Sequence, residues 1–123
     1  MRIILFINIC FTVGGGLTMF EREIIEKVVY DTVPADLIEQ VIVFGSRARN
    51  EETKDSDTDI CIIFKDELPR EDISRYRIAL NEKFAFDYLM PTDIIMKSAY
   101  TYNRYKGVVG GIEYEIAKYG VRL

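Results

Sequence analysis

Asp57 and Asp59 stand two residues apart at the head of the apolar run Ile60-Cys61-Ile62-Ile63-Phe64. In a strand, residues i and i+2 leave the same face, so the two carboxylates would project together. Adjacent carboxylates repel one another unless a cation joins them. Hard oxygen donors on one face suit magnesium, which takes carboxylates together with phosphate oxygens. Upstream, Gly45-Ser46 closes the β-branched run Val41-Ile42-Val43-Phe44. Gly45 permits a sharp turn and a close approach of backbone to a ligand. A helical turn starting at Ser46 would offer a hydroxyl and free N–H groups to a phosphate, and Arg47 or Arg49 could add a planar donor. Phosphoryl-type transfer commonly uses two metal ions about 3.5–4 Å apart, and a third carboxylate is needed to hold the second. Asp87 interrupts the apolar stretch Phe84–Met90, where an isolated charge is costly to bury without a partner, and it fits that role. The expected metal set is therefore Asp57, Asp59 and Asp87 with two Mg2+ ions, and the expected phosphate set is Gly45, Ser46, Arg47 and Arg49.

Each of these residues also has a plainer reading. Gly45-Ser46 alone is an ordinary turn, Arg47 and Arg49 could be solvated surface charges, and Asp87 could pair with a lysine. Asp55, Asp57 and Asp59 alternate as in a calcium loop, but such a loop needs glycine at its sixth position, where Ile60 stands. Asp93 reads as a helix first-turn acid and not as a ligand. The tyrosines at 100, 102, 105, 114 and 119 read as packing residues. The combination of spacings, not any single residue, carries the metal and phosphate reading.

The elements that must position these groups follow from periodicity. Phe20, Ile24, Ile25, Val28 and Val29 form one face of a helix that Pro34 ends. Val41–Phe44 is a buried strand entering a tight turn. Arg47 to Ser56 is polar, a helical turn passing into loop. Asp57 to Phe64 is a second strand, with Ile60, Ile62 and Phe64 on one face and the two aspartates with Cys61 and Ile63 on the other. Pro69 opens a helix with Glu71 and Asp72 in its first turn and Ile73, Tyr76 and Leu80 inward. Phe84–Met90 is expected as a third strand ended by Pro91, and Thr92 as the cap of a helix running to Tyr100. A connection to Gly111 and a last helix, Ile112–Tyr119, closed by Gly120, complete the chain. The fold class is α/β (α+β): a small mixed β-sheet packed against helices.

Bulk properties narrow the function classes. A length of 123 residues suits one domain, and 49% hydrophobic with 29% charged residues is an ordinary globular balance. A net charge of −4 and no dense Lys/Arg run argue against holding duplex nucleic acid. The absence of histidine removes Ser-His-Asp and Cys-His catalysis and any histidine-based zinc site. Cys10 and Cys61 lack metal-ligand spacing and suggest no disulfide framework, which favours a reducing compartment. The apolar segment Met1–Val13, followed by three glycines, is too short to span a membrane, which needs about 20 apolar residues. It is read as an N-terminal extension, residues 1–18, ahead of a domain at 19–123 with Met19 as a natural start. An extra strand, a loose tail and a short signal peptide are the other readings. The metal- and phosphate-binding pattern downstream argues against export and for the cytoplasm.

Gly45-Ser46, ten residues, then Asp57-Thr58-Asp59 resembles the signature of the DNA polymerase β-like nucleotidyltransferase superfamily, and the flanking residues Phe44, Arg47, Ala48, Arg49, Ser56 and Ile60 are similar to its minimal, stand-alone members. The resemblance covers about Phe20 to Leu123 and is strongest from Val41 to Phe64. It implies a nucleotidyltransferase fold, Asp57 and Asp59 as paired metal ligands, and Asp87 as the third carboxylate that aligns or deprotonates the acceptor. It further implies transfer of a nucleoside monophosphate, AMP from ATP, with pyrophosphate released. Minimal members often pair with a helical HEPN-type protein and act as its antitoxin by attaching AMP to a toxin tyrosine, so a HEPN-type partner in a hetero-oligomer, or a homo-oligomer, is expected. A small-molecule transferase acting on an aminoglycoside-like hydroxyl and a non-catalytic nucleotide- or partner-binding module are the alternatives.

Overall fold

The computed structural model of the chain describes residues 17–45 and 57–123. The first helix, α1 (Met19–Thr32), begins with a reciprocal cap: Glu21 N–H donates to Thr18 Oγ1 at 2.9 Å and Thr18 N–H donates to Glu21 Oε1 at 3.0 Å. Thr18 and Glu21 are buried, and Leu17 joins the core. The folded unit thus takes in Leu17 and Thr18, two residues ahead of Met19. A 3-10 turn at Ala35–Leu37 leads into strand β1 (Ile38–Phe44), which pairs antiparallel with β2 (Thr58–Phe64).

Helix α2 (Arg70–Tyr88) then returns the chain so that β3 (Thr92–Ser98) pairs parallel with β2, as a parallel pair requires of its crossover. Helices α3 (Ala99–Tyr105) and α4 (Ile112–Tyr119) follow, and the short strand β4 (Val121–Arg122) adds to β1. The sheet order is β3-β2-β1-β4, mixed in direction, as the fold class requires.

Two cores explain the apolar runs. Val41, Val43, Ile60, Ile62, Phe64 and Ile94 face α1 and α2, meeting Ile25, Val29, Leu80 and Phe84. Ile42, Phe44, Cys61 and Ile63 face the other way, against Tyr102 of α3 and Ile116 of α4. Strand β2 is covered on both sides, which is why its sequence is continuously apolar and not alternating.

Two expected elements are corrected. Phe84–Met90 is no strand: Phe84 to Tyr88 form the last turn of α2, and the inward spacing Ile73, Tyr76, Leu80, Phe84 continues the helical stripe without a break. The stretch also has no β-branched residue. Leu89 ends the helix with φ 52, and Met90 N–H donates to Phe84 O at 2.9 Å. The third strand lies beyond Pro91, where Thr92, Ile94 and Ile95 supply the β-branched residues, so Thr92 opens a strand and caps no helix. Ser98 caps α3 instead, accepting from Thr101 N–H at 3.2 Å. Among the described residues no helix is long and apolar enough to cross a membrane.

Candidate active site

Strand β1 delivers its last residue, Phe44, directly opposite Asp59 of β2, and Gly45 follows at once with φ 76. That left-handed conformation is open to glycine at little cost. The position also needs glycine for space. A Cβ added to Gly45 would overlap Asp59 Oδ2 and stand 3.0 Å from its Cγ. The turn therefore presses its bare backbone against the Asp59 carboxylate, and the sequence motif has a geometric reason.

Across the sheet, the parallel register sets Asp59 beside Asp93 of β3 and Thr58 beside Thr92. Register partners on adjacent strands lie about 5 Å apart and share a face. Asp57, two residues before Asp59, belongs to that face by alternation. It is the same face on which Phe44, Cys61 and Ile63 are buried further along. Asp57 and Asp93 are exposed and Asp59 is half-buried. Burial pushes the Asp59 carboxyl above the ordinary carboxylate range, and the neighbouring charges of Asp93 and Asp57 push it further.

This donor set fits a hard divalent cation. Its acids stand at one end of the sheet, and burial with two neighbouring carboxylates disfavours the Asp59 charge, which a cation would offset. Among the described residues no three acidic groups close into a metal cage by themselves. An open set of this kind suits magnesium, which keeps positions for water and for phosphate oxygens.

Of the residues expected from sequence, the structure brings Gly45 and Asp59 into contact and sets Asp57 just ahead of β2, near enough for its charge to act on Asp59. It does not bring Asp87 to them on a neighbouring strand. Asp87 is exposed in the last turn of α2, because its surroundings are helical and not those of a buried strand. Ser46, Arg47 and Arg49 lie outside the described residues. The acid that the register does set beside Asp59 is Asp93, which sequence reasoning read as a helix first-turn residue. One signal was available: the tripeptide Thr-Asp-Ile occurs at 58–60 and again at 92–94, and the two copies pair residue for residue.

Further along the same face, Lys97 and Glu113 form an ion pair of 3.1 Å, and Cys61 is buried nearby. Burial pushes the Cys61 thiol up to about 12, with Lys97 opposing and Glu113 adding to the shift. A thiol held protonated is no nucleophile, so Cys61 is a packing residue.

Comparison with known proteins agrees with the fold. The family model "Nucleotidyltransferase domain" matches residues 22–119. No curated protein gives a significant sequence match. Among solved structures, the chain is similar to a mutant of the toxin–antitoxin MntA–HpeT (TM-score 0.56, 17% identity, 81% of this chain and 69% of that one). It is similar to a toxin–antitoxin with AMP-PNP (TM-score 0.56, 20% identity, 80% and 68% of the two chains). Another mutant of the MntA–HpeT pair gives a TM-score of 0.53 at 22% identity, over 83% of this chain and 70% of that one. With the family model spanning most of the chain, the protein belongs to the nucleotidyltransferase domain family.

Proposed function

We propose that the protein transfers AMP from ATP to a hydroxyl on a protein partner, with Asp57 and Asp59 holding two magnesium ions and Asp93, in place of Asp87, as the third acid. The observation that carries this reading is the register of β2 and β3, which sets Asp93 beside Asp59 at the strand end where Gly45 meets the same carboxylate. Bound magnesium supplies charge neutralisation on the triphosphate and lowers the pKa of the acceptor hydroxyl.

The chain's own residues do the rest by position. The Gly45 turn lets the nucleotide approach the backbone, and Ser46 with Arg47 and Arg49 would hold the phosphates. Asp93 faces the acceptor side and takes or directs the hydroxyl proton. The acceptor oxygen forms a bond to the α-phosphorus, the bond to the bridging oxygen breaks, and pyrophosphate leaves. Charge placement and alignment account for most of the rate.

Similarity to toxin–antitoxin structures, one of them with AMP-PNP, supports a toxin as the partner and an adenine nucleotide as the donor. We take that partner to be of the HEPN type and its acceptor to be a tyrosine, which makes this chain the antitoxin of a cytoplasmic pair. Folding of residues 19–123 as the transferase domain, with Leu17 and Thr18 added, is part of the same reading.

Intact-mass measurement tests it. The partner incubated with enzyme, ATP and Mg2+ gains AMP units. The gain disappears with Asp57→Asn and with Asp93→Asn and persists with Asp87→Asn. Loss with Asp87→Asn and persistence with Asp93→Asn would overturn the assignment of the third acid. Neutralisation of the partner by Asp57→Asn protein, with no mass gain, would favour a binding module.

A further inference from the structure

Among the described residues, Asp93 sits on β3, the strand at the edge of the sheet beside β2. It lies close to the chain reversal at Leu89–Pro91. An edge strand lacks a ladder on its outer side, so other contacts must fix its start. Three hydrogen bonds do so. Thr58 N–H donates to Pro91 O at 3.0 Å, Thr92 Oγ1 donates to Asn81 Oδ1 at 3.1 Å, and Arg77 Nε donates to Ile94 O at 3.4 Å.

Two of the three come from α2. Arg77 and Asn81 are four residues apart and so share one helix face, and they grip the residues on either side of Asp93. By strand alternation Thr92 and Ile94 turn toward α2 while Asp93 turns away. The helix thus holds β3 from behind at the point where the acid projects in front. Asn81 is half-buried beside Leu80 and Phe84, which are fully buried in the core. Packing alone would be served by an apolar residue there.

We propose that Asn81 is a positioning residue: its bond to Thr92 fixes the start of β3 and so holds Asp93 beside Asp59, where the two could help hold a divalent cation. This rests on the reading of Asp93 as the third acid. Partners that orient metal-binding groups from behind typically change metal affinity about 10–100-fold when removed.

The test uses Thr92→Val, which keeps shape and strand preference while deleting the hydroxyl, and Asn81→Leu, which deletes the acceptor. Mn2+ affinity is read by electron paramagnetic resonance with α,β-methylene ATP bound, alongside thermal melting. We expect each single variant to melt close to the parent and to bind Mn2+ about 10-fold more weakly. The double variant should lose no more than either single, because one bond is broken in all three. Thr92→Ser should restore affinity to within about twofold of the parent, since it keeps the donor. Unchanged Mn2+ affinity in both singles, or losses that add in the double, would overturn the proposal. Asp93→Asn separates the two levels. Weakened Mn2+ binding there with none in Thr92→Val would sink the positioning role alone, and unchanged binding in Asp93→Asn would sink the reading it rests on.

Discussion

Replacing Gly45 with alanine separates two costs that the structure superimposes at one residue. The first is conformational. A φ of 76 places alanine in the left-handed region, at about 1–2 kcal/mol. About 0.4–1 kcal/mol of this is offset by the stiffer unfolded chain. The second is steric, because the new Cβ would occupy the space of Asp59 Oδ2. To restore an ordinary contact the carboxylate must retreat by about 1 Å, and a misplacement of that size commonly costs about 100-fold in rate. Gly110 supplies the control. It has φ 94 with nothing within 4 Å of an added Cβ, so Gly110→Ala carries the conformational cost without the collision. Both variants should lose about 1 kcal/mol of stability, seen as a fall in Tm of a few degrees. Only Gly45→Ala should lose about 100-fold in kcat/KM for AMP transfer, and its Mn2+ affinity should fall with it. Equal activity losses in the two, or full activity in Gly45→Ala, would refute the claim that Gly45 seats Asp59.

Thr18→Ala removes the α1 cap and should cost about 1–2 kcal/mol in urea denaturation, at the high end because both bonds of the capping box are buried. In a Cys10→Ser background, Cys61 should resist iodoacetamide at pH 8 in the folded protein and react freely once unfolded, since burial holds its thiol near 12. Without divalent cation, Asp59 binds its proton more tightly folded than unfolded, so stability should decline as pH rises through and just above the ordinary carboxylate range. Asp59→Asn should flatten that slope and raise Tm at pH 7 in EDTA, read by calorimetry across pH.

The legible part of the site was its local part. Gly45, Asp57 and Asp59 lie on one turn and one strand, and period-two alternation carries the pair to one face without tertiary information. The fold class followed from the same patterns. Asp93 was not legible in this way because its place depends on a parallel register across a 19-residue crossover helix, which no local periodicity encodes. The strand expected around Asp87 is helix: the aromatic residues Phe84, Phe86 and Tyr88 make an apolar stretch at the end of α2. Only Phe84 is fully buried; Phe86 is exposed, and Asp87 with it. The N-cap Thr18 was hidden by its position next to the apolar N-terminal segment.

The location of the acids follows from how fast the environment changes along β2. At Asp59 the side chain is half-buried, and its charge is disfavoured but tolerable, the more so with a cation to share. Two residues inward on the same face, burial holds the Cys61 thiol protonated up to about 12, so a charge there would be strongly opposed. Level with Ile63, Lys97 faces inward with Glu113 as its partner at 3.1 Å. With both faces of the sheet covered by helices, the strand start is the place where carboxylates can be held rigidly by the sheet and still reach solvent and substrate. The glycine turn after β1 and the brace from α2 to β3 both act at this boundary. One leaves room for the Asp59 carboxylate, and the other fixes the strand that brings Asp93 beside it. On the proposed reading, rigidity supplied by the sheet is what metal-assisted transfer asks of a protein, and Gly45 with residues of β2, α2 and β3 meets that demand at one end of one sheet.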